Sequence, residues 1–88
     1  MTSEPWPVEF ERRADKDLER LDAQVRQRVF AAIERLASDP HGAGLRKLTG
    51  RAQSRLRVGD SRVIVELDVL HRTIVVVRVL PRGRAYDR

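Results

Sequence analysis

The sequence contains no cysteine. Neither a disulfide framework nor a thiolate metal site is open to it, and nothing points to an oxidising compartment. Its two histidines, His41 and His71, fall in predicted loops, where both read as solvated. No His/Asp/Glu grouping has metal-ligand spacing, so no metal or other cofactor is expected. Long apolar runs are missing too. The longest, Thr73 to Leu80, is interrupted by Arg78 and falls far short of the roughly 20 residues of a membrane span. Met1 to Pro7 carries Glu4 and two prolines without the apolar stretch of a signal peptide. The expectation is a cytoplasmic protein with no membrane partner. Repeats, low-complexity tracts and linkers are also absent, and 88 residues make one small domain spanning positions 1–88.

What the chain has is charge, unevenly placed. Charged residues reach 35% beside an ordinary 41% hydrophobic fraction, and the net charge is +5. Residues 1–45 carry seven Lys+Arg and nine Asp+Glu, a net −2, whereas residues 46–88 carry eleven and four, a net +7. A positive field localised in this way speeds encounter with a polyanion, or equally with an acidic protein segment.

Hydrophobic periodicity gives the element order. Val8-Glu-Phe-Glu11 alternates like a short strand. Ala14, Leu18 and Leu21 mark one helix; Val25, Val29, Ala32, Ile33 and Leu36 mark a second, with Asp22 suited to cap it and Asp39-Pro40 to stop it. His41 to Gln53 holds three of the five glycines and reads as a loop. Strands are predicted over Ser54–Val58, Arg62–Leu67 and Thr73–Leu80, joined by short turns into an antiparallel meander. The order βααβββ predicts an α+β fold, a helical hairpin on one face of a small, mainly antiparallel sheet.

The opposite face is where the unusual residues fall. In Arg55-Leu-Arg-Val-Gly-Asp-Ser-Arg62, period-two alternation sends Arg55 and Arg57 to one side and Leu56 and Val58 to the other. Guanidinium matches phosphate oxygens in geometry and in charge, so the pattern points to a nucleic-acid backbone. A solvated face that blunts sheet edges is the plainer reading of the same residues. Arg78 reads as structural, and Trp6 as a tether for the N-terminal segment.

These segments, in this order and spacing, resemble the RelE/ParE superfamily of bacterial toxins, and within it the RelE-type mRNA interferases. The resemblance rests on Lys16-Asp17-Leu18-Glu19-Arg20-Leu21, Leu48-Thr-Gly50, Arg55 through Ile64, and Arg82 through Tyr86. It implies a cognate antitoxin wrapped over the toxin, with operator DNA reached indirectly through that antitoxin. It also implies cleavage of mRNA in the ribosomal A site, with Arg55, Arg57, Arg62, Arg82 and Tyr86 as catalytic residues. Arg46, Lys47, Arg51 and Arg84 are the accompanying candidates for RNA binding. ParE-type relatives share the fold but inhibit DNA gyrase without catalysis, which is the alternative function. Ser54 and Ser61 stand where such toxins commonly carry aromatic residues.

Metal-free RNA cleavage needs a base for the 2′-hydroxyl proton, an acid for the departing 5′-oxygen, and cations around the phosphate. Arginine serves only the last, because its pKa above about 12 leaves no free base. Tyr86, ordinarily near pKa 10, would be pushed toward phenolate by nearby guanidiniums and could exchange a proton or stack on a base. A site so composed depends on positioning, which suits an enzyme whose substrate is presented by the ribosome.

Overall fold

The computed structural model describes residues 4–42, 44–47 and 52–81. Strand β1 (Val8–Phe10) leads into helices α1 (Arg12–Glu19) and α2 (Ala23–Ser38), followed by strands β2 (Arg46–Lys47), β3 (Gln53–Val58), β4 (Ser61–Asp68) and β5 (Thr73–Leu80). The five strands form one sheet in the order β1-β5-β4-β3-β2. β1 runs parallel to β5, and every other pair is antiparallel. The expected α+β architecture, two helices on one face of a mainly antiparallel sheet, is the one observed.

Strand β2 lies within the stretch expected to be loop. It is two residues long, too short to display a period, and it exists by pairing with β3 at Arg46↔Arg55 and Lys47↔Ser54. The other boundaries follow local chemistry. Asp22 caps α2, its carboxylate accepting from the Gln24 N–H at 3.1 Å. Arg26 then ties the hairpin together, donating to the Leu21 carbonyl (2.8 Å) and to the Leu18 carbonyl (3.0 Å), which also accepts from the Leu21 N–H. Between β3 and β4 the connection is the two-residue turn Gly59-Asp60. Gly59 has φ +57°, the positive value that primed hairpin turns require.

One apolar core holds the layers together. On α2, Val29, Ala32, Ile33, Leu36 and Ala37 are buried, the i, i+3, i+4, i+7, i+8 stripe of a helix facing a core. They meet Leu56, Val63, Val65, Ile74, Val76 and Val79 from the strands, with Ala14 and Leu18 of α1. The N-terminal segment is fastened by the Trp6 N–H to the Ala37 carbonyl and by the Ile74 N–H to the Pro7 carbonyl, both at 3.0 Å. Trp6 is the tether its position suggested.

At the edge of β5 that β1 leaves uncovered after Phe10, α1 supplies a substitute. Asp17 accepts from Arg78 Nε (2.8 Å), Arg78 Nη2 (3.1 Å) and the Val79 N–H (2.9 Å). Burial pushes its carboxyl pKa up. The hydrogen bonds from Arg78 and Val79, with the charges of Arg78 and Arg20, outweigh that and hold it below the ordinary aspartate value. Arg78 is therefore structural.

Candidate functional site on the open sheet face

Register decides which side chains share a face. Leu56 pairs with Val63 and Val63 with Val79, all buried beneath the helices. The alternate positions form the other face: Gln53, Arg55 and Arg57 on β3, Arg62, Ile64, Glu66 and Asp68 on β4, and Thr73, Val75 and Leu80 on β5. None of these ten residues is buried.

The arginines gather at one end of that face. Arg57 is directly opposite Arg62, and Arg55 lies between Arg46 on one side and Ile64 on the other. Residues facing each other across antiparallel strands have Cα atoms about 4.5–5.5 Å apart, and alternate residues along a strand about 7 Å. Four guanidiniums thus share roughly a nanometre of surface. Among the described residues, Arg46, Arg55 and Arg57 have no hydrogen-bond or ion-pair partner. Like charges directly opposite on neighbouring strands work against folding. A face built only to be solvated gains nothing by setting Arg57 against Arg62. A polyanion would relieve the repulsion, and the planar forks suit phosphate.

Several predicted site residues are placed less centrally. Lys47 falls in the register of Ser54, on the alternate side of the ribbon from Arg46. Arg51, Arg82, Arg84 and Tyr86 lie outside the described residues. The described chain ends at Pro81, one residue beyond Leu80, whose register partner is Arg62. Ser54 and Ser61 both belong to the helix-covered side, where Ser61 is buried. Serine at these two positions therefore bears on core packing rather than on the arginine surface.

A trough of about 770 Å³ lies elsewhere, between α2 and the part of β3 that outruns β2. Ala31, Arg35, Asp39 and Leu56 line it, and Arg57 reaches both the trough and the open face. We assign the site by the clustered charge, because the trough's lining is mixed in sign and carries no organised set of donors. Gln53 and Glu66 were not among the expected site residues, yet they join the arginine face through a 3.1 Å hydrogen bond from Gln53 Nε2 to Glu66 Oε2. Counting by twos from Arg62 points to Glu66; only the strand register reveals its partner.

His71 donates or accepts through Nδ1 at 2.8 Å from Asp68 Oδ2 in the exposed β4–β5 turn, and His41 lies edge-on to Trp6. Neither is near the arginines in register. Among the described residues no group of three or more His, Asp or Glu could hold a metal ion, and no helix is long and apolar enough to cross a membrane.

A sheet of this order, helix-covered on one side and arginine-rich on the other, is the architecture of the RelE and ParE toxins. The profile of the ParE toxin of type II toxin–antitoxin systems matches residues 8–86, and the chain belongs to that family, within the RelE/ParE superfamily. It is a type II toxin. Among solved structures, it resembles the RelB–RelE antitoxin–toxin complex of Methanococcus jannaschii at 30% identity and TM-score 0.74, covering 91% of this chain and 96% of that one. It likewise resembles the archaeal RelE–RelB complex of Pyrococcus horikoshii at 25% identity and TM-score 0.78, covering 92% and 99%. The RelBE2 toxin–antitoxin complex of Mycobacterium tuberculosis shares the fold at 24% identity and TM-score 0.81, covering 93% and 98%. No curated protein matches significantly.

Proposed function

We propose that this toxin is a ribosome-dependent endoribonuclease that cleaves mRNA in the A site without a metal ion. The observation that carries the reading is the placement of Arg55, Arg57 and Arg62 at adjacent register positions on an open face. Arg55 and Arg57 are committed to no described acid, and a scissile phosphate would be gripped from two strands at once. Removing one preorganised donor of this kind typically costs about 3 kcal/mol in transition-state stabilisation, while positioning contributes roughly 7–11 kcal/mol. Arg82 and Tyr86, following closely on the strand that flanks Arg62, complete the proposed set. Arg46, Lys47, Arg51 and Arg84 extend the RNA contact along the backbone.

The proposed partners are a cognate antitoxin, the ribosome and its mRNA, with operator DNA reached through the antitoxin, in the cytoplasm. The Methanococcus and Pyrococcus relatives were solved as complexes of RelE with RelB, which supports an antitoxin covering this toxin too. A second reading, gyrase inhibition without catalysis, is favoured by the ParE profile that matches the chain. Induction of the toxin, followed by primer extension on a translated mRNA, separates the two. Cuts in register with the reading frame support the nuclease. Intact mRNA with blocked supercoiling in a purified gyrase assay supports the alternative and overturns the nuclease.

A further inference from the structure

Arginine cannot take the 2′-hydroxyl proton, Tyr86 lies outside the described residues, and neither histidine shares the arginine face: His71 is engaged with Asp68 in the turn, and His41 lies against Trp6. Asp60 belongs to the two-residue turn rather than to the face. Glu66 is different. Its register partner on β3 is Gln53, two residues from Arg55 on the same side, which puts Glu66 diagonally across from Arg55, about 7–8 Å between backbones. Gln53 occupies one oxygen of the carboxylate at 3.1 Å; the other has no hydrogen-bond partner among the described residues. A carboxylate held by one oxygen and open at the other, half-buried on the face that meets the substrate, has the form of a positioned proton acceptor.

We infer that Glu66, oriented by Gln53, accepts the 2′-hydroxyl proton in the mRNA-cleaving reaction; the inference rests on the nuclease reading. A phosphate on Arg55 carries its neighbouring ribose toward Glu66. The carboxylate takes the hydroxyl proton as the 2′-oxygen bonds to phosphorus. The bond from phosphorus to the 5′-oxygen breaks, and that oxygen leaves with a proton from water. The products are a 2′,3′-cyclic phosphate and a 5′-hydroxyl, and Glu66 returns its proton to solvent. The charged groups that face Glu66 are Arg55 from β3 and Arg78 from β5, both register partners of Ile64, with Asp68 on its own strand and Glu9 on β1 beyond Val75; the Arg78 guanidinium is held by Asp17, and directly beside Glu66 β5 presents the uncharged Val75.

The test is single-turnover cleavage on programmed ribosomes at neutral pH, with ribosome affinity measured alongside. Wild type, Glu66→Gln, Glu66→Asp and Gln53→Leu are compared. Glu66→Gln is expected to slow cleavage by about 10²–10⁴-fold at unchanged affinity. Glu66→Asp, which keeps the carboxylate, should recover part of the rate, and Gln53→Leu should be slowed less than Glu66→Gln. A Glu66→Gln rate within about threefold of wild type overturns the inference, and so does a slowed rate that Glu66→Asp does not partly restore. If Glu66→Gln does not fold, Glu66→Asp decides: a wild-type rate overturns the inference, and a reduced rate at unchanged affinity supports it. A wild type that cuts no mRNA on ribosomes overturns the nuclease reading itself, and that result is seen before any variant is compared.

Discussion

On β3 and β4, Leu56, Val63 and Val65 alternate with Arg55, Arg57, Arg62 and Ile64, so the two faces of the sheet differ by one step along the same strands. Beneath the helices, each side chain is satisfied by apolar neighbours, and the buried area explains why it is there. On the other side, Arg55 and Arg57 are satisfied by nothing described, and Arg57 stands opposite another cation. Folding accounts for the first face. It is mildly opposed by the second, and that opposition is what the proposed RNA contact would explain.

The largest expected effect tests the open face directly. Replacing both Arg55 and Arg57 by alanine should lower single-turnover mRNA cleavage by at least about 10³-fold, since one such donor is typically worth 10²–10³. The melting temperature should stay the same or rise, because a like charge in register with Arg62 is removed. Unchanged cleavage would return the arginines to the status of solvated surface. Loss of stability together with activity would break the contrast between the faces.

The covered face predicts the reverse pattern. Ile74 is fully buried near the start of β5, and Ile74→Ala deletes methyl and methylene groups from a packed interior. Truncations of this kind cost about 2–5 kcal/mol, and about 3 kcal/mol is expected here by denaturant titration. Cleavage per folded molecule should be unchanged.

How much of this contrast was readable beforehand depended on the range of the interaction. The alternation of Arg55 to Val58, closed by a Gly-Asp turn, fixes both the face and the opposition of Arg57 to Arg62, because a two-residue turn sets the register. Strand β2 was not readable, since two residues have no period and Arg46 is a strand residue only because Arg55 is beside it. The clasp between Asp17 and Arg78 joins residues 61 positions apart, and the sequence shows only that Arg78 interrupts an apolar run. The shift in register at Ile64/Val65 is similarly tertiary. Gln53 and Glu66 were missed because a carboxylate on a strand looks like any solvated charge until its partner across the ladder is known.

A smaller effect is expected where the faces meet, at the exposed edge of β5. Asp17→Ala removes the acceptor for Arg78 and for the Val79 N–H and leaves a partly buried guanidinium without its partner. The expected cost is about 2 kcal/mol, less than for a fully buried pair because the Arg78 side chain keeps 32% of its exposure. The carboxyl's folded-state pKa lies below its unfolded value. Its contribution is therefore present above the ordinary aspartate pKa near 3.9 and is lost as the pH falls through the lower, folded-state value. Acid unfolding followed by circular dichroism should show wild type and Asp17→Ala converging below about pH 4.

The smallest effect lies at the far end of the open face, where charge exists without a proposed role. Asp68 accepts from the His71 ring and from the His71 N–H, and these two bonds hold its carboxyl pKa below the ordinary value. The sign is the same as for Asp17: whatever stability the pair gives is present above that value and fades on acidification. Both side chains are well exposed, so solvent screening leaves the contribution small. His71→Ala should bring the Asp68 titration, followed by carboxyl NMR shifts, back toward the ordinary aspartate range. Thermal stability should scarcely move, and ribosome-dependent cleavage should keep its wild-type rate. A loss of cleavage in this variant would extend the working surface along the whole of β4 and erase the boundary drawn between its basic and acidic ends. Retained cleavage confines that surface to the end where Arg57 faces Arg62.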